Sequence, residues 1–225
     1  MTIRTVPTAD QAAHQAATEP LLDHLVYATP DLARTVAEFE AATGLEPAPG
    51  GRHVGLGTRN LLVGLGPTSY LEIIGPDVEM PPEPGRQMPF GIAGLREPRL
   101  IRWAVHPADI DRAATLSARS GATLGAPLPM GRDRPDGVRL SWRLATAEPA
   151  PLDGITPFLI DWGKSPHPAA DDLPGAGLLS LCGRHPDPAA VTAVLNAIGV
   201  HLPVDAGPAG LVAVIETPTG PVELS

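Results

Sequence analysis

LLDHLVYATPDLARTVAEFEAATG, residues 21–44, decides the reading of this chain. Residues 21–28 are a short apolar run bounded by turn-forming residues, the signature of a buried strand. Thr29-Pro30-Asp31 then opens a helix, with a capping residue, a proline at the first turn and an acid near the positive end. Over 32–44, Leu32, Val36, Phe39 and Ala42 recur on one helical face, and Gly44 supplies the stop. Three short apolar runs follow, around 53–57, 60–64 (NLLVG) and 70–74 (YLEII), with Gly and Pro turns between them. The order is β-α-β-β-β.

The order recurs. LIRWAV (100–105) leads through His106-Pro107-Ala108-Asp109 into IDRAATLSARSG (110–121), with strand candidates near 123–128, 138–145 and 157–162. LLSLCGR (178–184) leads through His185-Pro186-Asp187-Pro188 into AAVTAVLNAIG (189–199), with candidates near 200–204, 210–216 and 220–224. Asp31, Asp109 and Asp187 stand at intervals of 78 residues, which points to duplicated modules. The expected organisation is a polar, Ala-rich tail over 1–19, a module over 20–76 and a linker over 77–99. A second module over 100–163, a linker over 164–176 and a third βαβββ-like module over 177–225 on the same domain complete it. The first linker is long enough to serve a site.

Composition excludes several classes. Hydrophobic residues are 43% and charged residues 18% of 225, so the chain is neither disordered nor a coiled coil. Sixteen basic residues face 25 acidic ones without forming a cluster, so no nucleic-acid footprint is expected. An anionic ligand must therefore meet individual arginines. No apolar run reaches the ~18 residues of a membrane span, and the N-terminal stretch has no apolar core of a signal peptide. One cysteine, Cys182, rules out an internal disulfide; it reads as a buried thiol. A cytoplasmic protein with no nucleic-acid or membrane partner is expected.

Five stretches together resemble the vicinal oxygen chelate superfamily, and within it the glyoxalase-like proteins. They are LDHLVYATPDL (22–32), GGRHVGLGTRN (50–60), YLEIIGPD (70–77), RDRPDGVRLSWRL (132–144) and PFLIDWGKSPHP (157–168). The resemblance implies an α+β fold of repeated βαβββ modules forming the open bowl of glyoxalase and bleomycin-resistance proteins. It implies a pocket between paired modules, sometimes with a homodimer completing the pairing. In the superfamily that pocket often holds a divalent metal and runs isomerisation, epimerisation, epoxide opening or dioxygenation; some members bind small molecules without metal.

His24 and Glu72 match the superfamily's ligand positions on the first and last strands of a module, and are the candidate catalytic pair. Imidazole plus carboxylate suits Zn, Ni, Mn or Fe(II). Strand parity puts His24 on one face with Val26 and Ala28, and Glu72 on one face with Tyr70 and Ile74. The second module offers Arg102 where the first has His24, and Ile160 or Asp161 where it has Glu72; the third offers Ser180 and roughly Glu223. Arg102 has no lone pair for a metal, so a third ligand would come from His53, His106, Asp161 or Glu223. Arg102 is expected to pair with Glu72, to clamp a substrate carboxylate or phosphate bidentately, or only to hold the modules together through a buried ion pair.

His53, Thr58 and Asn60 lie in a Gly-rich stretch that suits close approach to a ligand, or a plain turn and edge strand. His53, Asn60, Arg102 and Arg143 are the candidate substrate-binding residues. Arg132 and Arg134 read as solvated loop charges around a Pro135-Asp136-Gly137 turn, His106 and His185 as caps or turns, and Trp103, Trp142 and Trp162 as core. The expected function is a lyase or isomerase acting on a small carbonyl or carboxylate substrate, with Glu72 as base or metal ligand, and not classical glyoxalase I. The alternatives are a metal-free small-molecule binding or sequestration protein, and a scaffold with a vestigial pocket.

Overall fold

The computed structural model describes residues 4–5, 22–134 and 137–225. Most of the expected tail, together with Leu21, Pro135 and Asp136, lies outside the described residues. After a two-residue strand, β1 (Arg4–Thr5), the first module runs β2 (Leu22–Ala28), α1 (Leu32–Thr43), β3 (Ala48–His53), β4 (Thr58–Gly66) and β5 (Ser69–Pro76). The second runs β6 (Arg99–Val105), α2 (Ile110–Arg119), β7 (Leu128–Asp133), β8 (Arg139–Ala145) and β9 (Phe158–Asp161). The third runs β10 (Gly177–His185), α3 (Pro188–Ala197), β11 (Val204–Ala206), β12 (Gly210–Thr217) and β13 (Gly220–Leu224).

Each helix begins on an aspartate. The carboxylates of Asp31, Asp109 and Asp187 accept from the backbone N–H of Arg34 (3.1 Å), Arg112 (2.9 Å) and Ala190 (3.0 Å). This is the N-cap that satisfies a free amide of the first turn. The cap is Asp31 itself, so Pro30 precedes the helix rather than lying in its first turn. Gly44 closes α1 at φ 70°, and its N–H bonds to the Glu40 carbonyl.

Modules one and two form one eight-stranded sheet in the order β3-β4-β5-β2-β6-β9-β8-β7. In each module the first strand pairs parallel with the last, and β2 pairs antiparallel with β6 at the centre. The two edge strands meet: the Arg132 guanidinium on β7 donates to the Gly50 carbonyl on β3. The sheet is thus a nearly closed bowl made by one chain.

The third module repeats the chain order but not the pairing. There the first strand, β10, pairs parallel with β11 and antiparallel with β12, giving β1-β13-β12-β10-β11. Its apolar face packs with the helices on the outer side of the bowl. Leu25, Tyr27, Trp103, Val105, Phe39, Leu181, Ala213 and Val222 share that core, each large side chain contributing about 1.5–3 kcal/mol of burial.

The strand expected around 53–57 lies earlier, because 54–57 is a turn with Gly55 and Gly57 at φ 78° and 68°. A Cβ on Gly57 would sit 2.3 Å from Pro82 Cδ, so this turn accepts no side chain there. The strand expected at 123–128 also shifts, to 128–133, past the positive-φ Gly125. Among the described residues no helix is long and apolar enough to cross a membrane.

Candidate active site

The inner face of the bowl carries Val26, Ala28, Leu62, Tyr70, Ile74, Ala104, Phe158, Ile160 and Trp162. The parity expected for β2 and β5 holds, so His24 and Glu72 project into the same space. A cavity of about 90 Å³ opens there, lined by His24, His53, Asn60, Glu72 and Arg132 against a mostly aromatic and aliphatic wall. It widens outward into a vestibule of about 890 Å³ that shares His53, Leu56, Met130, Trp142 and Trp162 with it. The linker after β5 supplies Pro89 and Phe90 to the inner wall.

Glu72 is 6% exposed. Its Oε1 accepts from Asn60 Nδ2 at 2.5 Å. His24 Nε2 lies 3.9 Å from Oε2, and His53 Nε2 lies 3.9 Å from Oε1. The carboxylate is thus held from one side by Asn60, with an imidazole beside each oxygen. His53 is anchored through Nδ1 to Thr58 Oγ1 at 3.1 Å. Burial pushes the His53 imidazole down; Glu72 opposes that, while Arg132 and His24 add to it. Burial thus favours the neutral form of His53.

A feature that parity hides orients His24. Leu22 pairs with Val105 and His24 with Ala104, so Asp23 is an extra residue in β2 with no partner opposite. Such a bulge re-aims a side chain. The Asp23 carboxylate, fully buried, bonds His24 Nδ1 at 2.6 Å, Trp162 Nε1 at 2.8 Å and His167 Nε2 at 3.1 Å. Burial alone raises this carboxyl. Hydrogen bonds from His167 and His24, together with the electrostatic pull of those two imidazoles, outweigh it and hold the group well below the usual carboxylate range. An ionised Asp23 accepts the Nδ1 proton of His24, which leaves Nε2 facing Glu72 and the cavity. Tyr70 stacks on the His24 ring at 4.8 Å and 16°, and Phe158 meets its edge at 5.3 Å.

Arg132 is 5% exposed and belongs to the cavity, not to a solvated loop as its sequence context suggests. Trp142 and Trp162 wall the cavity, 5.2 Å apart, whereas Trp103 is core and donates to the Ile155 carbonyl. Arg102 is not opposite Glu72. Its guanidinium lies behind the Phe90 and Phe158 rings and donates to Thr146 Oγ1 at 3.0 Å, so no Arg102–Glu72 pair forms. Arg143 lies on the vestibule rim, 42% exposed, bridging Asp161 and Asp111. His185 makes the expected turn, accepting at Nδ1 from the Asp187 N–H. His106 stands half-exposed, with Nδ1 3.8 Å from Asp23.

The second module adds no donor to the divalent-metal set that the superfamily resemblance implies. The residues of β9 facing the bowl are Phe158, Ile160 and Trp162, so the second module contributes hydrocarbon and no ligand. Asp161 is turned out to Arg143. The Arg132 guanidinium lies in the same cavity as Glu72 and His53, placing positive charge there already. His24, His53 and Glu72 share the cavity, each imidazole Nε2 3.9 Å from a Glu72 oxygen, but among the described residues no three His, Cys, Asp or Glu side chains already stand in a metal-holding arrangement.

Asp23, Arg132 and His167 are not marked as site residues by the sequence. Asp23 adjoins His24, but its parity points the wrong way without the bulge. His167 comes from the second linker, and nothing in its local pattern marks it.

Paired βαβββ modules around a polar-floored cavity define the vicinal oxygen chelate architecture. The glyoxalase-like domain model matches residues 22–199, and the chain belongs to that family. Among solved structures, a hypothetical protein from Staphylococcus aureus is similar at a TM-score of 0.61 and 14% identity, over 84% of this chain and 87% of that one. A methylmalonyl-CoA epimerase from Streptomyces coelicolor aligns at 0.41 and 20%, over 68% of this chain and 100% of that one. A mutant 4-hydroxymandelate synthase from the same organism aligns at 0.41 and 20%, over 62% and 47%. No curated protein matches the sequence.

Proposed function

We propose that the chain is an enzyme of the lyase or isomerase type that moves a proton beside a carbonyl in a small carbonyl or carboxylate substrate. The observation that carries this reading is the Glu72 carboxylate, held by Asn60 and facing one small cavity with the Asp23-oriented Nε2 of His24. The substrate oxygen lies against the buried Arg132 guanidinium. Glu72 Oε2, the oxygen not occupied by Asn60, takes the proton from the adjacent carbon, and the electron pair moves into the carbonyl to give an enolate. Arg132 stabilises that charge in a site with little water. His24 Nε2 exchanges the proton with Glu72, and Asp23 stabilises the imidazolium so formed, as a carboxylate does for any histidine it orients. Return of the proton to carbon gives an isomerase; loss of a group from the next carbon gives a lyase.

Solvent exchange tests the reading whatever the product of the reaction. A panel of 2-oxo acids, hydroxyketones and 1,3-dicarbonyls is incubated in D2O, and deuterium incorporation is followed by proton NMR. The expected result is enzyme-dependent wash-in at one carbon, reduced at least ~100-fold in Glu72→Gln. Wash-in that survives Glu72→Gln refutes Glu72 as base. Five aromatic rings in the wall (Tyr70, Phe90, Trp142, Phe158, Trp162) favour a second reading, sequestration of a flat apolar molecule. In that case Glu72→Gln keeps ligand affinity and no substrate exchanges.

A further inference from the structure

Arg102 is a buried cation with too few partners. Its side chain is 4% exposed. One terminal nitrogen donates to Thr146, the other lies 3.9 Å from Glu148, itself half-exposed, and Nε has no hydrogen-bond partner. A desolvated guanidinium without a close counter-charge is costly. It lines a recess of about 250 Å³ together with Arg99 and the hydrocarbon of Leu95, Ile155 and Leu211. Phe90 is the one described residue that lines both this recess and the catalytic cavity.

The backbone around the recess is strained. Among the described residues, three that are not glycine have positive φ: Phe90 (59°), Leu152 (49°) and Asp153 (53°). Phe90 and Asp153 line the recess, and Leu152 adjoins Asp153. Left-handed backbone at bulky residues collects at ligand sites.

We propose that this recess is a second binding site, separate from the catalytic cavity, for a monocarboxylate with a short apolar body. The carboxylate takes the guanidinium terminus of Arg102 that Glu148 approaches only to 3.9 Å, where the planar cation matches it. The leucine and isoleucine side chains take the hydrocarbon. Glu148 and Asp153 also line the recess and repel a second negative charge, which selects a monoanion over phosphate.

The test is a fluorine NMR titration of the intact protein with 4-fluorophenylacetate, with inorganic phosphate as competitor. Saturable binding is expected, weakened at least about tenfold in Arg102→Met and changed less than about threefold in Arg132→Met, with no displacement by equimolar phosphate. Glu148→Gln, at a half-exposed site that leaves folding intact, is expected to tighten binding about two- to fivefold. Its outcome decides the matter should Arg102→Met fail to fold. The proposal is overturned by absence of saturable binding up to about 10 mM, by equal affinity in Arg102→Met, by loss of binding in Arg132→Met, by displacement with phosphate, or by no change in Glu148→Gln.

Discussion

Asp23→Asn separates the role of the carboxylate from its shape. The wild-type group accepts three hydrogen bonds at 2.6, 2.8 and 3.1 Å in a fully buried position. The amide keeps one accepting oxygen and turns an N–H toward a partner that also donates. At least one of the His24, Trp162 and His167 donors then loses its acceptor, and the others lose the charge that strengthens them. A charge-assisted bond contributes about 1.5–3 kcal/mol, and breaking a buried charged network costs about 3–5 kcal/mol. A domain of this size shifts about 2–4 °C per kcal/mol, so the expected fall in Tm is about 6–20 °C. The same change frees the His24 tautomer. Long-range proton–nitrogen NMR at pH 7.5 reads the Nδ1–H form in the wild type and a mixture, or the Nε2–H form, in the variant. A Tm within about 2 °C of wild type, together with an unchanged His24 tautomer, refutes the claim that Asp23 sets the imidazole.

The pH dependence follows from the same residue. Its folded pKa lies below the unfolded value of about 3.9, so its contribution is fully present above about pH 4 and is lost as pH falls through the folded pKa; urea midpoints of wild type and Asp23→Asn should converge on acidification, and a constant gap refutes this. Arg132→Met removes the donor that ties β7 to the Gly50 carbonyl on β3, an unmet buried acceptor of about 1–3 kcal/mol, so Tm should fall by about 2–12 °C while affinity for any anionic ligand of the inner cavity falls about 10–100-fold by calorimetry. Arg143→Ala removes exposed ion pairs and should move Tm by less than about 2 °C in a scanning fluorimetry series; a larger fall would mean that Arg143 holds β8 and β9 to α2. Burial pushes the Cys182 thiol up, with Asp205 and Glu223 adding to it and Arg184 opposing, so a thiol reagent at pH 8 should label native Cys182 more slowly than the urea-unfolded chain.

The parts of this molecule legible in the sequence are those that local periodicity and capping chemistry control. The helix starts, the Gly44 stop, the apolar face of α1 and the shared faces of His24 with Val26 and Glu72 with Ile74 follow from spacings of a few residues, although the cap of α1 is Asp31 and not Thr29. What local pattern could not give is whatever depends on which strand sits beside which. Arg132 reads as a loop charge because its neighbours are Arg, Asp and Pro; only closure of β7 against β3 buries it over the cavity floor. Arg102 has inward parity, but Phe158 and Phe90 stand between its guanidinium and Glu72, and strand parity carries no information on what intervenes. The third module shows the same limit at a larger scale. Its β-α-β-β-β order is as plain in the sequence as the other two, yet β10 pairs with β11 and the result is a cover for the helices rather than half of a bowl. Duplication of an element order therefore fixes the number of units and leaves their use to packing. The polar centre of the inner cavity comes from the first module plus Arg132, and the second module's other contributions are rings and hydrocarbon. A site divided in that way suits one proton-transfer centre in a dry wall better than the symmetric ligand set that two equivalent modules would build.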